Sequence, residues 1–105
     1  MKNIQASIGK WQNETFGTGP ERARPVMRHL AEEVNELEME LFVNEYKSSP
    51  AVEGEMADCV ILLIAMAESL GVCLESAVEA KMVKNRARTW RKPDANGVIR
   101  HQEGS

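Results

Sequence analysis

The chain is poor in the residues that mark several protein classes. Its 105 residues hold two Trp, two Phe and one Tyr, with four Pro and two Cys. Cys59 and Cys73 form no zinc-ligand pattern, and each sits in or beside an apolar stretch, so both read as structural, reduced thiols. The longest apolar run, Cys59 to Ala67, is nine residues, less than half of the roughly 20 that span a bilayer, which argues against a membrane role. The first twelve residues are mixed polar rather than a charged head and an apolar core, so no signal peptide is expected and a cytoplasmic location is. There is no internal repeat and no low-complexity tract. Dense, periodic apolar residues argue against disorder.

Ala, Glu, Leu, Met, Lys and Arg are abundant instead, which makes helix the default. The net charge of −3 is unremarkable, but its distribution is not. Residues 32–58 carry nine acids against Lys47 alone, a local charge of −8. Residues 81–92 carry Lys81, Lys84, Arg86, Arg88, Arg91 and Lys92 with no acid, a local charge of +6. One block suits cations and the other suits anions.

Four helices are expected. Residues 2–13 place Ile4, Ile8 and Trp11 at helical spacing, and Gly17, Thr18, Gly19 and Pro20 break the pattern. A second helix starts near Arg24, with Pro25 in its first turn, and carries Leu30, Val34, Leu37 and Leu41 as one apolar stripe until about Tyr46. A third runs from about Ala51 to Leu70, with Gly71 as its stop. Its middle is apolar on every side, and a helix of that kind is buried all round. So short a chain cannot wrap it, which implies that a second subunit covers part of it. A fourth helix runs from about Leu74 to Trp90, Asp94 to Gly97 form a turn, and residues 98–105 are a polar tail. The expected fold is all-α: one domain over residues 1–105 with its core in 24–92, a small helical bundle completed by homo-oligomerisation.

Two carboxylate pairs stand out. Glu33 and Glu36 are three apart on the second helix, and Glu55 and Asp58 are three apart on the third. Residues at that spacing are neighbours on a helix surface. If the two helices pack antiparallel, all four converge into an all-oxygen site suited to Mg²⁺ or Mn²⁺. Asp58 adjoins the apolar run, where an unpaired acid is costly, which favours ligation over a merely solvated face. Glu38, Glu40 and Glu45 read as solvated. His29, four residues before Glu33, is a candidate partner for it.

On the fourth helix the stripe of Leu74, Ala77 and Val78 continues into Lys81, Asn85 and Arg88, with Lys84 beside them. That geometry aims several donors at an anion such as a metal-bridged triphosphate. A nucleic-acid module would also use residues 81–92, but the acidic block opposes a phosphate backbone, so no nucleic acid is expected. A non-catalytic helical scaffold would need no convergent acids.

The same residues carry a resemblance. Glu33-Val34-Asn35-Glu36 followed by Glu55-Met56-Ala57-Asp58 resembles the E-x-x-E … E-x-x-D signature of the all-α, MazG-like nucleoside triphosphate pyrophosphohydrolases. The run after Asp58 is also similar, as is Lys81-Met82-Val83-Lys84-Asn85-Arg86-Ala87-Arg88. Trp11-Gln12 with Phe16-Gly17, His29 to Val34, and Lys92 to Val98 narrow the resemblance to the phage-type dATP/dGTP diphosphohydrolases. Residue 35 is Asn where related sequences often have Gly or Asp.

The resemblance implies a dimer or dimer of dimers, and hydrolysis of dGTP and dATP to the monophosphate and pyrophosphate. It implies two or three Mg²⁺ or Mn²⁺ ions held by Glu33, Glu36, Glu55 and Asp58. Glu32 is expected to hold a further ion or orient the water. Lys81, Lys84, Asn85 and Arg88 are expected on the phosphates, and Trp11 and Trp90 are candidates for the base. A role in 2-aminoadenine phage DNA synthesis, in the host cytoplasm, would follow. The alternative within the family is another or a broad nucleotide preference.

Overall fold

The computed structural model describes residues 2–103, so Gly104 and Ser105 of the expected tail lie outside the described residues. It is all-helical: α1 spans Lys2–Phe16, α2 Ala23–Val43, α3 Pro50–Leu70 and α4 Leu74–Ala87, with a 3₁₀ turn at Pro20–Arg22 before α2. The chain divides into two compact units, residues 1–74 and residues 75–105.

The first unit is built on α2 and α3. Val26 and Leu30, early in α2, share a core with Cys59, Leu62 and Ala65, well along α3. Glu33, later in α2, meets Glu55 and Asp58, earlier in α3. Advancing along one helix means retreating along the other, so the pair is antiparallel, as the convergent acids require. Leu37 and Met66 pack against this core. Each helix end has a local cause. Ser49 caps α3 by accepting from the Val52 N–H at 3.1 Å, with Pro50 at the first helical position. Gly71 ends it with φ 70°, a left-handed conformation that glycine adopts freely, and the Val72 N–H returns to the Ala67 carbonyl.

Several boundaries differ from the sequence expectation. α2 stops at Val43 rather than near Tyr46, because Glu45 and Tyr46 are both left-handed and the Tyr46 N–H wraps back to the Leu41 carbonyl. α1 runs on to Phe16 rather than ending near residue 13, and its buried face is not the Ile4, Ile8 and Trp11 stripe. Ile4 and Trp11 are exposed, and the buried side chain is Gln5. Gln5 donates to Glu68 and to the Val72 carbonyl, and accepts from the Leu74 N–H, so it ties α1 to the end of α3. Gly9 lets the helices approach, since a Cβ there would lie 2.5 Å from Glu68 Oε2.

α3 shows what one chain can and cannot bury. Ile64 is fully enclosed, whereas Met56, Val60 and Leu63, spaced as one helix face, are 53%, 46% and 45% exposed. Val34 of the expected α2 stripe is also half-exposed. Among the described residues, no single helix is long and apolar enough to cross a membrane.

In the second unit α4 ends at Ala87, three residues before the expected Trp90. None of its residues is buried, so the Leu74, Ala77 and Val78 stripe is not core within this chain. A lone helix and a short hairpin hold too little apolar mass to enclose it. Residues 98–102 are not a loose tail. They return antiparallel to residues 89–94 through Arg91 N–H to Arg100 O, Asp94 N–H to Val98 O and Gln102 N–H to Thr89 O. The expected Asp94–Gly97 turn closes this hairpin, with the Asp94 carboxylate accepting from the Asn96 and Val98 amides and from Arg100. Those partners hold the Asp94 carboxyl below its usual range, Arg100 foremost.

Candidate metal centre and adjoining pocket

The antiparallel pairing of α2 and α3 brings the acids together. Carboxylate oxygens of Glu33, Glu55 and Asp58 all lie within 4.8 Å of one another. Glu33 and Glu55 are half-buried and Asp58 is exposed at the mouth. Glu36 sits beside Glu33 and Glu55 and interacts with both. Glu32 is exposed one position earlier, and its charge is among those that raise Glu36.

So many like charges cannot all ionise freely. Glu55 is the carboxyl that keeps its proton: Glu33 beside it, then burial, then the charges of Glu36 and Asp58 push its pKa from 4.5 up to about 7. Glu36 is raised for the same first reason, the neighbouring Glu33. Glu33 moves the other way, lowered chiefly by the proton that Glu55 shares with it and further by Glu36 and His29. Glu33 Oε2 and Glu55 Oε2 are buried without a hydrogen-bond partner among the described residues. Buried acceptors left unsatisfied are costly. A hard divalent cation, which takes oxygen ligands, would satisfy both. The residues present therefore fit such an ion.

His29 is where the sequence placed it, with Nε2 3.1 Å from Glu33 Oε1. It also lines a cavity of about 550 Å³ that opens beside the acids, with Glu33 and Asp58 in its wall. Trp11 and Phe16 stand edge to face at 5.6 Å in the same wall, and the Arg22 guanidinium lies 5.5 Å from the Phe16 ring centre. The volume falls in the range of small-molecule sites. Sequence reasoning does not single out Phe16, Arg22, Gln12 or Ile61 as site residues. Phe16 and Arg22 come from separate elements joined by a Gly-rich turn, and no spacing rule links them. Gln12 adjoins Trp11, which is the one signal that points to it.

The other expected residues belong to the second unit. Lys81 and Lys84 are exposed on α4, while Asn85 on α4 and Arg88 just past its end are half-buried, with Arg88 donating to Asn85 Oδ1 at 3.4 Å. Trp90 donates its indole N–H to the Asn85 carbonyl and meets the His101 ring edge-on.

A family profile for dATP/dGTP pyrophosphohydrolases matches residues 4–104. The dATP/dGTP diphosphohydrolase of cyanophage S-2L is 36% identical over 107 residues, covering all of this chain and 90% of that protein. The dATP/dGTP diphosphohydrolase of Salmonella phage PMBT28 is 30% identical over 102 residues, but this chain spans 31% of its length. Among solved structures, the cyanophage S-2L MazG-like pyrophosphohydrolase, bound to dGDP and three catalytic Mn²⁺ ions per active site, superposes with a TM-score of 0.72. It is 31% identical, covering 99% of this chain and 94% of that one. The Bacillus-conserved MazG nucleotide pyrophosphohydrolase gives a TM-score of 0.63 at 29% identity, covering 90% of this chain and 93% of that one. The chain thus belongs to the dATP/dGTP pyrophosphohydrolase family and is a MazG-like nucleoside triphosphate diphosphatase.

Proposed function

We propose that this enzyme hydrolyses the purine deoxynucleoside triphosphates dGTP and dATP to the monophosphate and pyrophosphate. The observation that carries this reading is adjacency: the cavity that Glu33 and Asp58 line is also lined by the aromatic rings of Trp11 and Phe16. A nucleotide has the same two-part character, a charged phosphate chain and a flat, stackable base. Glu33, Glu36, Glu55 and Asp58 would hold two or three Mg²⁺ or Mn²⁺ ions, which supply an activated water and neutralise phosphate charge. Glu32 adds negative charge at the edge of this centre, for a further ion or for orienting the water.

Trp11 and Phe16 offer faces and edges for the base, and the larger purine gains more from them. Lys81, Lys84, Asn85 and Arg88 serve as cationic and amide donors to phosphate oxygens. The exposed Met56, Val60 and Leu63 face supports a homodimer, or a dimer of dimers, in which a second copy covers α3. The whole chain then acts as one domain. Nucleoside triphosphates as substrates suit work in the cytoplasm, and removal of dATP with supply of dGMP suits 2-aminoadenine DNA synthesis in a phage.

The test is chromatography of products from eight ribo- and deoxynucleoside triphosphates, with Mn²⁺ and with chelator. Monophosphate and pyrophosphate from dGTP and dATP, only with metal, is the expected result. Diphosphate and orthophosphate would overturn the reaction, and equal rates on all substrates would leave a broad-specificity enzyme.

A further inference from the structure

We infer that His29 is a positioning residue that fixes the rotamer of Glu33, so that one carboxylate oxygen is held back and the other is presented to the metal centre. The inference rests on the reading of Glu33 as a metal ligand.

His29 and Glu33 are one helical turn apart on α2, with Nε2 3.1 Å from Oε1. A carboxylate oxygen accepts, so the ring nitrogen is the donor in this contact. The second oxygen, Oε2, is buried and has no hydrogen-bond partner among the described residues, and Glu33 belongs to the cluster with Glu55 and Asp58. Glu33 has three rotatable bonds to be fixed before an ion arrives, and the like charge of Glu36 beside it favours an outward turn. An N–H held by a ring with two rotatable bonds on the same helix removes that freedom at low entropic cost.

A purely structural role for His29 is weaker. Its side chain is 57% exposed, whereas that of Glu33 is 14% exposed, so His29 is not a core residue. An exposed histidine-carboxylate pair adds little to fold stability. His29 also lines the cavity, so its ring could instead serve as a wall for the nucleotide. Positioning and lining separate in solution, because orienting Glu33 affects the metal even without nucleotide, and a wall does not.

The experiment measures Mn²⁺ binding to the nucleotide-free enzyme by calorimetry and electron paramagnetic resonance, alongside steady-state kinetics. The proteins are wild type, H29A, H29F and H29Q. H29F keeps a flat ring without the N–H, so the reading does not depend on alanine alone. H29Q supplies an amide N–H that reaches across one turn. H29A and H29F are expected to weaken Mn²⁺ binding by about 10–100-fold, and H29Q to recover most of it. High Mn²⁺ should restore kcat in H29A with little change in nucleotide KM. Mn²⁺ affinity in H29A and H29F within about twofold of wild type would overturn the positioning role. So would a rise in nucleotide KM at saturating Mn²⁺ as the only effect. Failure of the wild type itself to bind Mn²⁺ would overturn the metal centre, and the role of His29 with it.

Discussion

Glu33 of α2 and Glu55 of α3 meet across the helix pair, each with a buried Oε2 that nothing among the described residues satisfies, and their pKa values move in opposite directions. Glu55 keeps its proton to about pH 7 because Glu33 gives its proton up first. A divalent ion that binds between them must displace that proton. Mn²⁺ affinity should therefore rise with pH up to about 7 and then level off. Calorimetry in buffers of different ionisation enthalpy should find about one proton released per site at about pH 6 and far less at about pH 8. The metal-free protein should show the opposite trend. A carboxyl raised above 4.5 favours the folded state at low pH, and that contribution is lost as pH rises through about 7. The lowered Glu33 acts in the other sense, but only below its ordinary value, outside this window. The metal-free melting temperature should fall between about pH 5 and pH 8, all else equal. Proton-free Mn²⁺ binding at about pH 6 would contradict the shared proton.

Asp58 differs from those two in being exposed, at the mouth where the cluster meets the cavity. Replacing it by Asn keeps its volume and removes its charge. Hydrolysis should fall by about 10²–10³-fold or more, as for loss of a group that stabilises the reacting charge. Stability should stay within about 0.5 kcal/mol, as for an ordinary surface substitution. Retention of more than half the activity would remove Asp58 from the metal centre.

The acids were legible because helix geometry is local: pairs three apart share a face, and a short connection makes the two helices antiparallel. The antiparallel register then followed from Val26 and Leu30 meeting Leu62 and Ala65. What the sequence hid depended on long-range partners. Gln5 reads as a surface residue until Glu68 and the α3 terminus appear beside it. The 98–102 arm has no alternating apolar pattern, and its pairing depends on the Asp94 side chain capping its own turn. Of the cavity beyond His29 and the acids, only Trp11 is legible, because Phe16, Arg22 and Ile61 share no period with it. The positive-φ glycines Gly17 and Gly19, with the 3₁₀ turn that follows them, connect the end of α1 to the start of α2.

Lys81 and Arg88 should act on the phosphates and not on the ions. Alanine at either position should weaken triphosphate binding by about 10–100-fold, the scale of a lost hydrogen bond to a charged group. Nucleotide-free Mn²⁺ affinity should stay unchanged. The deficit should grow smaller for the monophosphate product, which has fewer oxygens to hold. Unchanged triphosphate affinity in both variants would remove the cationic clamp, and an equal loss of Mn²⁺ binding would mean that the substitutions disturb the acid cluster instead.

The two tryptophans should separate cleanly in their effect on base preference. Trp11 stands in the cavity wall beside Phe16, half-exposed and next to the carboxylates. Trp90 is committed locally, its indole N–H on the Asn85 carbonyl and its ring against His101. A base stacked on an aromatic side chain gains about 1–3 kcal/mol, and a purine presents the larger face. Trp11→Ala should therefore lower kcat/KM for dGTP and dATP by about 5–150-fold, and lower it less for dCTP and dTTP, so that the purine preference shrinks. Phe16→Ala should act in the same direction but more weakly, because it sets the Trp11 ring edge-on. Trp90→Ala should loosen the hairpin, seen as faster amide exchange at Arg91 and Gln102, and leave the purine-to-pyrimidine ratio unchanged. Competition assays with paired purine and pyrimidine substrates measure that ratio directly. A ratio that survives Trp11→Ala and collapses in Trp90→Ala would move the base to the second unit and leave the aromatic cavity without its assigned occupant.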